Sequence, residues 1–243
     1  MRIDIYSKSL IIVFVLTVAL IGFVSLKNVH AQDKGSLALT QETQAAITPA
    51  MALTRLKEGN KRFVTGNMIN RDLMSQVEQT STGQYPMASV VSCLDSRIAP
   101  EYVFDQGIGD IFVARIAGNF VNDDILGSLE FASKIARSKL IVIMGHTECG
   151  AIKGACDGAE LGLLTTSTLS NIKPAVEAIK PLHKHTNSGN AKFVQDVAIK
   201  NVKLNMQKLP DRSQILHEML EKGEIKLVGA MYDVRSGKVT FYE

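Results

Sequence analysis

The chain has 243 residues, 46% of them apolar and 21% charged, the profile of an ordinary globular protein. Its formal charge is +3, but residues 1–31 hold Arg2, Lys8 and Lys27 against Asp4, and the remainder carries 24 basic and 23 acidic side chains. Near-neutrality argues against a clustered basic face for nucleic acid, and a single long apolar run excludes a multi-span membrane protein.

That run comes first. Leu10 to Leu26 is continuously apolar, follows Arg2 and Lys8, and precedes Val29-His30-Ala31. This is the grammar of an export signal cleaved before Gln32. The run is longer than most signal cores, so the rival reading is an uncleaved anchor, the only way in which this chain would meet a membrane. Either reading puts the folded part outside the cytoplasm, in the periplasm or secreted. Residues 32–47 are rich in Gln, Ser, Thr and Ala without a period and read as a flexible linker. Thr48-Pro49 then pairs an N-cap with a first-turn proline. The helix it opens carries Leu53, Leu56 and Phe63 on one face and stops at Gly66-Asn67.

Downstream, short β-branched runs at 88–92, 111–114, 140–144 and 226–232 alternate with helical patterns at about 126–137, 150–157, 171–184, 191–208 and 212–222. Strands separated by helices predict an α/β fold with a central, mostly parallel sheet flanked by helices. Residues 234–239, Val-Arg-Ser-Gly-Lys-Val, read as a tight turn into a last strand, a C-terminal hairpin.

Two segments carry chemistry. Cys93-Leu94-Asp95-Ser96-Arg97 follows the strand at 88–92, and His146-Thr147-Glu148-Cys149-Gly150 follows the strand at 140–144. In open parallel sheets, sites form beyond the carboxyl ends of strands. Two thiolates and one imidazole suit zinc, and three protein ligands leave a fourth position for water, as in catalytic sites. Cys149 should open a helix whose dipole favours its thiolate. Taken singly, each residue has a plainer reading: a buried cysteine packs as a small apolar side chain, a lone histidine is a satisfied polar group, and Asp-x-Arg is a surface ion pair. Cys93, Cys149 and Cys156 are the only cysteines. An odd thiol count in an exported chain sits poorly with a disulfide framework, and the absence of Cys-x-x-Cys disfavours a redox pair.

Together these residues resemble the β-class carbonic anhydrases. The likeness rests on Cys93-x-Asp95-Ser96-Arg97 with His146-x-x-Cys149-Gly150. It extends through Gly83-Gln84-Tyr85-Pro86, Phe104-Asp105-Gln106-Gly107-x-Gly109-Asp110, Arg115-x-Ala117-Gly118-Asn119, Ser128-Leu129-Glu130 and Gly229-Ala230-Met231-Tyr232-Asp233, and spans roughly residues 48–243. The resemblance implies an enzyme that reversibly hydrates carbon dioxide to bicarbonate, with one zinc ion per subunit on Cys93, His146 and Cys149. It implies an Asp95–Arg97 pair in the working state, and it sets Gln84 and the Gly150 backbone near the substrate. Phe112 and Phe131 match wall positions at a dimer interface, so a homodimer or tetramer is expected. Phe131 stands where many members have Tyr, Leu94 is bulkier than usual, and the chain has no Trp, which rules out a Trp-based second bicarbonate site.

Asp95 lies two residues from Cys93, close enough to serve as a fourth ligand in a closed state. Arg97 would then be the latch that holds Asp95 off the metal, free to accept a hydrogen bond from the attacking hydroxide. A non-catalytic zinc protein on the same scaffold would be expected to lack Asp95 or Arg97. A relative acting on carbon disulfide or carbonyl sulfide would differ at the pocket entrance.

Overall fold

A computed structural model describes residues 37–242. The apolar leader 1–31 and the first residues of the expected linker lie outside the described residues. The rest of that linker differs from the flexible reading. Gln41–Ala45 forms a short helix, α1, closed by a reciprocal cap between Thr40 and Thr43. Gln44 is buried and its amide donates to the carbonyls of Pro86 and Ala136, both at 2.8 Å. The Gln-, Ser-, Thr- and Ala-rich composition hid a buried amide that ties the segment to the stretches leading into β1 and β3.

Pro49–Val64 forms α2, capped by the Thr48 side chain on the Met51 N–H, an interaction worth about 1 kcal/mol. Leu53 and Leu56 are buried, and Phe63 packs against the core. Leu73–Thr80 forms α3, which the sequence pattern did not reveal, although Asp72 caps it through the Ser75 N–H. The remaining elements are β1 (Ala88–Ser92), α4 (Pro100–Val103), β2 (Ile111–Arg115), α5 (Asp123–Glu130), β3 (Leu140–His146), α6 (Gly150–Asp157), α7 (Ser170–Ile179), α8 (Ala191–Arg212), α9 (Gln214–Glu221), β4 (Lys226–Tyr232) and β5 (Val239–Tyr242). A single turn of π-helix, Phe131–Ile135, continues α5, another at Leu164–Leu169 leads into α7, and a 3-10 turn at Lys180–Leu182 follows α7.

The sheet order is β2-β1-β3-β4-β5. The first four strands are parallel and β5 returns antiparallel beside β4, so the fold is the expected α/β sheet with a C-terminal hairpin. Every residue of β1 and β3 is buried, which explains their continuous β-branched runs. Helix α8 packs on β3 and β4, and α2 packs on β3 and α4.

One buried charge cluster ties the loops below the sheet together. Asp105, fully buried and at a left-handed φ of 47°, accepts from Arg62 Nε at 2.5 Å, from Arg71 and from the Ile69 N–H at 3.3 Å. Burial pushes its carboxyl up, but Arg62, Arg71 and the Ile69 N–H pull harder and hold it below the ordinary value. A carboxylate with a depressed pKa stabilises the fold fully above its unfolded value of about 3.9, and that contribution is lost as acid reprotonates it. Asp105→Asn is expected to cost about 3 kcal/mol, the low end for breaking a buried charge cluster, because Arg62 keeps some access to water. Urea unfolding of both proteins at pH 7 measures this, and the difference should shrink only as the pH falls below the unfolded value of about 3.9. A loss below about 1 kcal/mol at pH 7 would mean that the cluster is not a stabilising element.

Candidate metal centre

Four parallel strands end at one edge, and their last residues assemble the site. In register, Ser92 of β1 lies between Arg115 of β2 and Met144 of β3. Cys93 therefore emerges beside the end of β3, where His146 is the last residue and faces Tyr232 of β4. Three residues on, Cys149 is the N-cap of α6, reached through Glu148 in the left-handed region at φ 58°. The ligand atoms of Cys93, His146 and Cys149 lie within 4.8 Å of one another, and all three residues are buried. They are the only such cluster among the described residues. Cys156, the remaining thiol, sits near the far end of α6 outside the cluster, and burial pushes its pKa up to about 11.

The donor set fits a dication. His146 Nδ1 lies 2.9 Å from the Thr147 carbonyl. A carbonyl only accepts, so this contact assigns the proton to Nδ1 and leaves the Nε2 lone pair free. Nε2 is fully buried and has no hydrogen-bond partner, a state that ordinarily costs energy. It faces two sulfurs that are 4.0 Å apart. The Cys149 thiol pulls the Cys93 pKa down against the effect of burial, with help from His146 and the Gly118 N–H. Cys149 is in turn pushed up by Cys93 and by burial, although the Ala151 and Ile152 N–H groups at the start of α6 favour its thiolate. A pair that gives up one proton readily and holds the second is completed by a cation that displaces both. The unsatisfied imidazole nitrogen and the two thiols form an N/S2 set suited to zinc.

Asp95 stands at the edge of this cluster. Its Oδ2 is 3.9 Å from His146 Nε2, too far for a hydrogen bond. Arg97 grips it with a bidentate pair, Nε to Oδ1 at 2.9 Å and Nη2 to Oδ2 at 2.7 Å, and the Arg97 backbone N–H adds a third bond at 3.0 Å. This grip holds the Asp95 carboxyl well below the usual carboxylate range. Arg97 Nη2 also reaches the Glu148 carbonyl at 3.4 Å, so one side chain bridges both sequence segments.

The other expected site residues divide. Gly150 opens α6 beside Cys149. Gln84 is exposed and precedes β1, at the strand end opposite Cys93. Phe112 and Phe131 meet edge-on, with ring centroids 6.4 Å apart. Phe112 sits at the Ser89 level of β1, about 10 Å back from the strand ends at the usual rise per residue. Within one chain, then, Gln84, Phe112 and Phe131 do not line the cluster.

Three participants went unassigned from sequence. Arg115 donates to the Cys93 carbonyl at 3.1 Å and the Asp95 carbonyl at 2.7 Å, clamping the backbone on either side of Leu94. The Gly118 N–H donates to Cys93 Sγ at 3.4 Å. Asn201 donates to the Gly118 carbonyl at 2.8 Å. Arg115 and Gly118 fall in a recognised motif, which flagged them without revealing a role, and nothing in the chain's pattern marks Asn201.

A sequence profile described as carbonic anhydrase matches residues 88–239. A carbonic anhydrase of Mycolicibacterium smegmatis is 33% identical over 192 residues, covering 79% of this chain and 92% of the relative. Carbonic anhydrase 2 of Mycobacterium tuberculosis is 33% identical over 193 residues, covering 78% and 91%. Among solved structures, the β-carbonic anhydrase CafA of Aspergillus fumigatus superposes with a TM-score of 0.63 at 27% identity, covering 80% of this chain and 90% of that one.

Proposed function

Since the chain belongs to the β class of the carbonic anhydrase family, whose reaction is the reversible hydration of carbon dioxide to bicarbonate and a proton, we propose that Cys93, His146 and Cys149 hold one zinc ion per chain for that reaction. The observation that carries this assignment is the buried, partnerless Nε2 of His146, set against two thiols. Zinc, when bound, lowers the pKa of water to about 7, the value already established for carbonic anhydrases, and so supplies hydroxide near neutral pH. The chain's own groups do the rest. Asp95, ionised and pinned by Arg97, accepts a hydrogen bond from the attacking oxygen and aims it. Gly150, at a helix start where N–H groups lack helical partners, offers an N–H to a bicarbonate oxygen. Stopped-flow hydration of carbon dioxide by zinc-loaded and chelator-treated protein tests this reading. Equal rates for the two would overturn it.

The enzyme works as a homodimer or a dimer of dimers. The support is the position of Gln84, Phe112 and Phe131. They sit away from their own chain's cluster, yet the family resemblance makes Gln84 a substrate contact and the two phenylalanines wall residues. Such contacts need the site of a second copy. Phe131, 50% exposed, lies against Phe112 of the edge strand β2, an apolar surface suited to cover by that copy. Sedimentation of fully active protein as a monomer would remove this reading.

Export follows from the leader, with the mature chain beginning at Gln32 and acting in an outer compartment. Mass spectrometry of protein from its host checks the cleavage. Intact residues 1–31 on membrane-bound protein would make the leader an anchor instead.

A further inference from the structure

The zinc reading leaves one device unexplained, a pair of buried asparagines on the face of α8 that looks toward the sheet ends. Asn201 and Asn205 are each 1% exposed. Asn205 Nδ2 donates to the Asn201 backbone carbonyl at 2.8 Å and to Asn201 Oδ1 at 3.2 Å, which orients the Asn201 amide. Asn205 Oδ1 accepts from the Val121 N–H at 2.9 Å. The Asn201 Nδ2 donates to the Gly118 carbonyl. Two amides one helical turn apart therefore hold the loop after β2 at both ends. Gly118 is left-handed at φ 81°, and a Cβ there would meet Ile172 Cδ1 at 2.5 Å, so this turn of the loop requires glycine. What the hold sets in place is the Gly118 N–H, aimed at Cys93 Sγ.

We propose that Asn201 is a positioning residue for the metal centre: by fixing the Gly118 peptide it keeps an N–H donor on the Cys93 sulfur, drawing charge from that thiolate and orienting it toward its partners. This rests on the assignment of Cys93 as a zinc ligand. Two thiolates donate more charge to a metal than neutral imidazoles do, and a donor on one sulfur moderates that donation. Outer groups that orient a ligand typically contribute 10–100-fold in metal affinity. A loop that merely needs its buried carbonyl satisfied would lose stability in an Asn201 variant without any effect at the metal.

The test is zinc affinity by chelator competition, together with the thiolate-to-metal charge-transfer absorption of the cobalt-substituted protein. Asn201→Leu removes the donor at similar size. It is expected to weaken zinc by about 10–100-fold, because Cys93 is no longer held in place toward its partners, and to move the charge-transfer band to lower energy, because a sulfur without its hydrogen bond gives up electron density more easily. Asn201→Ser, which opens less apolar mismatch, carries the same test if the leucine variant does not fold. Gln44→Leu, a buried amide on α1 that holds two carbonyls elsewhere, should lose stability and leave both metal readouts unchanged. A folded Asn201 variant with wild-type affinity and band position would overturn the proposal, as would equal shifts in Gln44→Leu. Wild-type protein that fails to bind one zinc per chain would instead overturn the ligand assignment on which the proposal stands.

Discussion

Arg97→Ala is expected to keep one zinc per chain and lose about 10²–10³-fold in turnover, the range for removing one preorganised group from an active site. The expectation comes from how Asp95 is held. Its carboxylate makes two bonds to the Arg97 side chain and one to the Arg97 backbone N–H. Its Oδ2 also lies 3.9 Å from the imidazole nitrogen that faces the metal position. A bidentate charge-assisted pair fixes direction as well as distance. With the guanidinium gone, a bound zinc ion would be the strongest charge left to attract Asp95, and a carboxylate held by the metal would exclude water. Arg97 contributes no metal ligand, so zinc content should not fall. Arg97→Lys should recover little, because an ammonium is a point charge without the planar fork. Asp95→Asn should be similarly slow, since an amide presents a donor as well as an acceptor. Near-normal turnover of zinc-loaded Arg97→Ala would reduce Arg97 to a structural neighbour of Asp95.

His146→Ala should abolish activity by a different route, by losing the metal. The ring is fixed by its bond to the Thr147 carbonyl, and the Thr147 backbone N–H is in turn bonded to the Tyr232 carbonyl at 2.9 Å. The Thr147 hydroxyl accepts from the Val234 N–H at 3.0 Å. The loop between the two ligand residues is thus bolted to the end of β4 whether or not the ring is present, and the sheet should survive its removal. Two thiols alone do not complete a site of this type. The expected result is a native circular dichroism spectrum, zinc content near zero after dialysis against a chelator, and hydration at the uncatalysed rate. One retained equivalent of zinc would show that His146 is not a ligand.

The sequence was most legible where a local signal and the tertiary environment agree. The runs at 88–92 and 226–232 coincide with β1 and β4, because strands buried over most of their length in a parallel sheet are rich in apolar residues on both faces. The 150–157 pattern coincides with α6, bounded by Cys149 and by Gly158 in the left-handed region. Signals were missed where a cap stood without a long apolar stripe behind it. Asp72 caps α3, whose Leu73, Met74 and Val77 remain largely exposed. The helix predicted from 126 begins earlier, because Asn122 caps α5 through the Ile125 N–H, and it ends as a π turn that no period foretells. The helix expected to end near 208 runs on to Arg212, with Pro210 accommodated in the last turn of α8, where its missing N–H breaks only one bond of the ladder.

At the site, the clustering of Cys93, His146 and Cys149 and the Asp95–Arg97 pair were readable because each lies in a short segment of distinctive residue types at the carboxyl end of a strand. Arg115, Gly118 and Asn201 were not, because they act through backbone carbonyls and an N–H across sequence separations of 20 to 83 residues. Such contacts are set by how strand ends and α8 meet, and no local pattern encodes them. Gln84, Phe112 and Phe131 are a different case. Their roles came from the resemblance alone, and one chain's geometry places them apart from its own cluster; the proposed assembly is what would bring them to a site.

The most direct measurement is an anomalous difference map at the zinc absorption edge from crystals of the zinc-loaded protein. The account predicts one peak per chain, bonded to Cys93 Sγ, Cys149 Sγ and His146 Nε2, with Asp95 still paired to Arg97 and off the metal. A peak that lies elsewhere, or one that His146 does not touch, would contradict it.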